Sequence, residues 1–270
     1  MQQMYQSACC LHIPMKCRDL PVGVFDSGLG GLSVLRELKA RMPHENFLYF
    51  GDSKNAPYGS RPPEEILNLT EKAAELLFDR GIKALVLACN TATSIGAEFL
   101  REKYPEEIIV GIEPALKPAV ERFPRGRILV LATETTLREK KFNNLMARAS
   151  VTCDICKCPC PRLVEFVERG ELEGPRVEAV IRSQLEGKLN PPANGVVLGC
   201  THFPFLRDAV SHVVGPEAVI FDGAEGTARE TKRRLEEADL LRRDGEGKTE
   251  ILNSLESREI LELSERLLRA

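Results

Sequence analysis

Short, unbroken apolar runs alternate with stretches of helical period along most of this chain, and that rhythm limits what it can fold into. Runs at 22–25 (VGVF), 47–50 (FLYF), 84–88 (ALVLA), 108–110 (IIV), 128–131 (ILVL), 196–198 (VVL) and 219–221 (VIF) read as strands. Residues 32–42 and 64–80 read as helices, the second with Ile66, Leu69, Ala73, Leu76 and Leu77 on its core side. From Ala228 onward the pattern is of charged, amphipathic helices broken near Gly245 and Gly247. Apolar strands separated by helices are buried on both faces, which predicts an α/β fold with mostly parallel sheets.

In such sheets ligands bind beyond the carboxyl ends of the strands. Those ends carry Asp26, Ser27 and Gly28, then Gly51 and Asp52, then Cys89, Asn90 and Thr91, then Glu113 and Pro114, then Thr133, then Cys200, Thr201 and His202, and last Asp222. Two of them look alike. LVLACNT (85–91) and VVLGCTH (196–202) each run from an apolar strand through a small residue to a cysteine and hydrogen-bonding residues, with the cysteines 111 positions apart. They read as a weak internal duplication: two related α/β domains facing each other across a cleft, or a strand–Cys–helix turn that recurs by chance.

A thiol that opens a helix sits near backbone N–H groups and the positive end of the dipole, so its pKa is expected to fall toward neutrality. Two such thiols on facing domains could invert a stereocentre, one removing a proton from one face and the other delivering a proton to the opposite face. The alternative is a pair of inert, buried core cysteines. The glycine turn DSGLGG (26–31) does not fit a dinucleotide loop, because Ser33 stands at the third glycine position and Asp26 would repel a phosphate. An acid beside free N–H donors suits a zwitterion. His202, two residues from Cys200, could support that thiol, and Pro57, Tyr58 and Gly59 form a turn that could line a substrate. His44 and His212 have no such context and read as surface residues.

Composition excludes some classes. Lys and Arg total 37 against 40 Asp and Glu, which argues against a nucleic-acid partner. No run of about 18 apolar residues marks a membrane span. The first twenty residues lack a signal-peptide pattern and read as a flexible extension, with Met4 and Met15 as alternative starts. Nine cysteines with no export signal are expected as reduced thiols in a cytoplasm. Cys9, Cys10 and Cys17 fall in the extension, and Cys153, Cys156, Cys158 and Cys160 form a cluster. That cluster could hold zinc or an iron–sulfur group, or be redox-sensitive or incidental.

Taken together, VGVFDSGLGG (22–31), YFGD (49–52) with NAPYG (55–59), ACNTA (88–92), GIEP (111–114), LGCTH (198–202) with Pro204, and Asp222 resemble glutamate racemase of the aspartate/glutamate racemase superfamily, in the family's order over roughly residues 21 to 270. The resemblance implies two pseudo-symmetric parallel-sheet domains, 21–113 plus 223–270 and 114–222, facing across an active-site cleft. It also implies interconversion of L- and D-glutamate without pyridoxal phosphate or metal, supplying peptidoglycan synthesis, in a cytoplasmic homodimer. Cys89 would act on the D-enantiomer face with Asp26 assisting, and Cys200 on the L-enantiomer face with His202 assisting. Ser27, Pro57, Tyr58, Gly59, Asn90, Thr91 and Thr201 would hold the substrate, with Thr133 and Thr136 binding a carboxylate. Glu168 would be a supporting acid. Ala115 and Glu165 depart from residues common in the family (glycine and proline), and the four-cysteine cluster lies outside its pattern. Rival readings are an aspartate racemase, a thiol- or metal-based sensor, and a binding protein that has lost catalysis.

Overall fold

The computed structural model of the protein describes residues 17–269. Most of the expected N-terminal extension, with Cys9, Cys10, Met4 and Met15, lies outside the described residues. The chain opens with β1 (Val22–Asp26), α1 (Leu32–Arg41), β2 (Phe47–Gly51), α2 (Pro63–Asp79), β3 (Ala84–Leu87), α3 (Asn90–Lys103) and β4 (Ile108–Gly111). It continues through α4 (Leu116–Arg122), β5 (Arg127–Ala132), α5 (Glu134–Arg138), α6 (Lys140–Ala149), β6 (Asp154–Pro159), α7 (Leu163–Glu168), α8 (Pro175–Gln184), β7 (Gly195–Leu198), α9 (Arg207–Val214) and β8 (Val219–Asp222). Helix α10 (Ala224–Glu237), β9 (Thr249–Asn253) and α11 (Arg258–Arg269) then close the chain.

Every strand pairing is parallel. One sheet has the order β4-β3-β1-β2-β9 and the other β6-β5-β7-β8. Apart from β9 the two are wired identically. In each, the first strand is followed by a neighbour on one side, then one on the other, then one further out. Cys89 follows the third strand of its sheet and Cys200 the third strand of the other, so the likeness between 85–91 and 196–202 has a topological counterpart. The α/β class and its two facing parallel sheets are as expected from the sequence.

Burial explains why the central strands read so clearly. Val22, Val24, Ala84, Val86, Leu129, Leu131, Val196 and Leu198 share one continuous core reaching both sheets. The outer faces are covered separately, by α2 and α3 on one sheet and by α4 and α6 on the other. Helix α2 shows how local sequence sets an element. Pro63 occupies its first turn with Glu64 and Glu65, and Gly81, at φ +76°, follows its end. Ile66, Ala73 and Leu77 of α2 are buried as expected, but Leu76 is 37% exposed and lies off the core face.

Two strands depart from the sequence reading. β9 falls where only helices were expected, and β6 is built from the cysteine cluster. Both are edge strands, each with a single neighbour. An edge strand has one open side that can carry charges, and in these two strands such charges break the apolar run. Glu250 and Lys157 are exposed in these strands.

The return of the chain to the first sheet is fastened by a buried ion pair. Lys83 Nζ lies 2.6 Å from Glu45 Oε2, and both side chains are fully buried. Lys83 also donates to the Arg18 carbonyl, and Glu45 Oε1 accepts the Arg242 N–H at 2.6 Å. Replacing one partner strands a buried charge, which costs about 3–5 kcal/mol. Lys83→Met is expected to lower stability by that amount in urea unfolding, and the double change Lys83→Met/Glu45→Leu to recover part of it. Losses of the two single variants that simply add in the double variant would show that the pair is not coupled.

Candidate active site

The register of the strands brings the polar strand ends together. Asp26 pairs with Gly51, and Phe25 with Leu87 two residues before Cys89. In the second sheet Leu131 pairs with Leu198, so Thr133 and Cys200 lie side by side. Both groups sit where the strand order reverses, between β1 and β3 and between β5 and β7, the position at which open parallel sheets bind ligands.

The two thiols line one small cavity of about 20 Å³, together with Ser27, Pro57, Tyr58, Gly59, Asn90, Thr91, Thr133, Thr201 and His202. Of the residues expected to hold substrate, only Thr136 stays behind the wall. It joins a cluster of hydroxyls in which Thr133 donates to it at 3.0 Å and Thr91 lies 3.3 Å from each. Cys89 caps α3, its sulfur accepting the Ala92 N–H at 3.4 Å and lying 3.3 Å from Ser27 Oγ.

Asp26 does not hydrogen-bond Cys89. Its carboxylate accepts the Gly28 N–H at 2.9 Å and the Thr201 hydroxyl at 2.9 Å, so it reaches across the cleft to the residue after Cys200. Glu168 makes the reciprocal crossing. Its Oε1 lies 2.6 Å from His202 Nε2 and accepts the Leu29 N–H of the first sheet at 2.7 Å. His202 Nδ1 in turn lies 3.6 Å from the Cys200 sulfur. Glu168, His202 and Cys200 therefore form one chain of contacts, Asp26 is tied to the same loop through Thr201, and Cys89 stands beside them on Ser27 and the Ala92 N–H. Glu165, one of the two departures from the family pattern, is on the solvent face of α7, paired with Arg169.

Some members were not legible as site residues. Ser33 bridges the Gly30 and Thr201 carbonyls at 2.8 and 2.9 Å, Ser53 donates to Glu168 Oε2 at 3.4 Å, and Asp52 accepts the Tyr58 hydroxyl at 2.7 Å. Ser33 stood out only as the residue that breaks a dinucleotide motif. Its hydroxyl in fact locks the glycine turn to the Cys200 loop. Asp222 lies elsewhere, paired with Arg207 beside a cavity of about 730 Å³ between β4, β8 and α10 that contains neither thiol.

Electrostatics differs from the expectation at Cys89. Burial, reinforced by Asp26, pushes its thiol up to about 12, against the opposing Ser27 and Ala92 hydrogen bonds. The cap is present, but desolvation outweighs it. Burial also raises the Asp26 carboxyl above its usual range, although His202 and Thr201 oppose it. At Glu168 burial acts upward too, but His202 and the Leu29 N–H prevail and hold the carboxyl below its ordinary value. For His202 burial acts downward, yet Cys200 and Glu168 lift it well above 6.5.

The cysteine cluster is separate. Cys156, Cys158 and Cys160 alternate along one face of β6 and its continuation, with Cys156 and Cys158 sulfurs 3.9 Å apart, while Cys153 packs in another core beside the Phe123 carbonyl. Among the described residues no three His, Cys, Asp or Glu side chains are grouped to hold a metal ion.

Residues 32–231 match the model of the Asp/Glu/hydantoin racemase family. The chain belongs to that family. Glutamate racemase of Clostridium perfringens is 48% identical to it over 93% of this chain and 97% of that one. The crystal structure of glutamate racemase from Thermus thermophilus in complex with β-chloro-D-alanine is 34% identical with a TM-score of 0.78, covering 93% of this chain and 94% of that one. The Escherichia coli glutamate racemase in complex with L-glutamate and the activator UDP-MurNAc-Ala is 28% identical with a TM-score of 0.80, covering 92% and 95%. The sensor and lost-activity readings are thereby set aside: this is a racemase, as its motifs implied.

The racemase's buried histidine offers a direct check on the network. His202 is expected to remain protonated in ¹⁵N NMR at pH values above 6.5, because its folded pKa is raised. Glu168→Gln removes a main support, so the resonance should titrate at lower pH. An unchanged titration would separate Glu168 from the histidine.

Proposed function

We propose that this racemase interconverts L- and D-glutamate by proton transfer between two cysteines. The observation that carries the reading is that Cys89 and Cys200, each following the third strand of identically wired sheets, line the same buried cavity. Two acids on facing walls are what inversion at one carbon requires. In the L-to-D direction the Cys200 thiolate takes the α-proton, leaving a carbanion, and the Cys89 thiol delivers its proton to the opposite face. The reverse reaction exchanges the roles. Burial pushes the Cys89 thiol up to about 12, which suits it to be the proton donor in the L-to-D direction. His202, held protonated, lies 3.6 Å from the Cys200 sulfur.

The α-proton is weakly acidic, so the charge that develops must be met by fixed dipoles in a dry site. The Thr91 and Thr133 hydroxyls, which line the cavity and are backed by Thr136, would receive a carboxylate. Asn90 Oδ1 is buried with no hydrogen-bond partner, leaving an acceptor for the substrate's ammonium. The chemistry calls on no cofactor, since a proton leaves one face and another arrives on the other. Glutamate as substrate is supported by the relatives' names and by the L-glutamate held in the E. coli enzyme. That enzyme's activator is a muramic-acid nucleotide, which agrees with supply of D-glutamate to peptidoglycan. A cytoplasmic homodimer completes the reading, and among the described residues no helix is long and apolar enough to cross a membrane.

A cavity of about 20 Å³ has room for about one water, so glutamate enters only when the two sheets part. We place the domains at 21–113 plus 223–270 and 114–222, with the movement at their two junctions. Small-angle scattering should give a smaller radius of gyration with saturating glutamate than without; identical profiles would rule out large closure. Cys89→Ala and Cys200→Ala are each expected to reduce racemisation by at least about 10³-fold, within the range of general acid–base catalysis. Circular dichroism of each variant with either enantiomer checks this, and near-normal turnover in either would overturn the two-base reading. Turnover of aspartate in place of glutamate would keep the mechanism and change the substrate.

A further inference from the structure

The turn that serves both thiols is held from behind by a residue that the two-cysteine chemistry does not use. Tyr49, on β2, is fully buried, and its hydroxyl donates to the Gly28 carbonyl at 2.7 Å. The seat for that carbonyl is shaped on a second side by Gly51, which pairs with Asp26. A Cβ at Gly51 would lie 2.4 Å from Gly28 O and 3.2 Å from Tyr49 Cε1, so only glycine lets the carbonyl reach the phenol.

The Gly28 carbonyl and the Leu29 N–H belong to one rigid peptide plane and point in opposite directions. Fixing the oxygen on Tyr49 therefore aims the N–H, which donates to Glu168 Oε1 at 2.7 Å. Glu168 holds His202, and His202 faces Cys200. The Gly28 N–H, in the preceding peptide, holds Asp26 on the Cys89 side. Gly28 itself has no room for a side chain, since a Cβ there would lie 2.1 Å from Glu168 Oε1. Burial, with Asp26 and Glu168 nearby, raises the phenol well above its ordinary value, so it remains a donor throughout the working pH range.

We infer that Tyr49 is a positioning residue for proton transfer, its hydroxyl orienting the Gly28–Leu29 peptide so that Glu168 is held against the histidine partner of Cys200. The inference rests on the two-cysteine reading. Tyr49 touches neither thiol in a hydrogen bond and does not line the cavity. Its loss should therefore impair the proton-transfer step and leave substrate affinity nearly untouched.

The test is Tyr49→Phe, with Gly51→Ala as a second variant that keeps the phenol but presses on the same carbonyl. Tyr104→Phe, which removes a surface phenol next to Glu75, is the control. In each positioning variant kcat should fall about tenfold in both directions, the effect of roughly one lost hydrogen bond to a charged group, with KM within about twofold. The acid limb of the kcat/KM profile should move to higher pH. Glu168 faces His202, Ser53, the Leu29 N–H and the charge of Asp26, and losing the N–H makes its carboxylate easier to protonate. Wild-type kcat and an unmoved acid limb in folded variants, with only a lower Tm, would overturn the inference. Should Tyr49→Phe not fold, Gly51→Ala decides by the same readouts. The inference fails alone if these variants are normal while Cys89→Ala and Cys200→Ala are inactive; active cysteine variants would instead sink the two-cysteine reading.

Discussion

Two buried hydrogen bonds that cross the cleft in opposite senses hold this site together. Asp26 of the first sheet accepts from Thr201 of the second, and Glu168 of the second accepts from Leu29 of the first. Each carboxylate would be expensive to bury alone, and each is supported by backbone N–H donors or a hydroxyl from the opposite side. The crossings also set the distances between the thiols and their partners. A preorganised site of this kind costs little reorganisation at the moment of reaction.

The duplicated wiring accounts for how the proposed proton-transfer pair comes together. Each sheet places a cysteine after its third strand, at the point where strand order reverses. Both thiols line one cavity, although their surroundings are not copied. Cys89 opens a fourteen-residue helix, whereas Cys200 leads into a short 3-10 turn at Phe203–Leu206 and has an imidazole beside it. The two thiols thus have unequal surroundings on a common plan, which suits the proposed exchange of acid and base roles between them.

Much of this was legible in the sequence, for physical reasons. Central parallel strands are buried on both faces, so β1, β3, β5 and β7 appear as unbroken apolar runs and announce the reactive residues that follow them. The edge strands β6 and β9 carry Lys157 and Glu250 on open sides and left no such signature. The thiol chemistry was only half legible. A helix-capping position was visible at Cys89, and it does accept an N–H, but the burial that outweighs the cap comes from packing with distant segments such as Phe25 and Tyr58. Ser33, Tyr49 and Ser53 were illegible for the same reason: their partners lie on other segments, Thr201, Gly28 and Glu168, at separations no local pattern encodes. Glu168 was reached only through family resemblance.

The central claim is that the proton removed and the proton delivered belong to different cysteines. Following L-glutamate in heavy water through the first turnovers, by proton NMR with chiral separation, tests it most directly. Two thiols that exchange with solvent predict D-glutamate that carries deuterium at the α-carbon from the start, while unreacted L-glutamate keeps its protium. D-Glutamate that retains the original protium in those first turnovers would mean that one group moved the same proton across both faces, and would contradict the account.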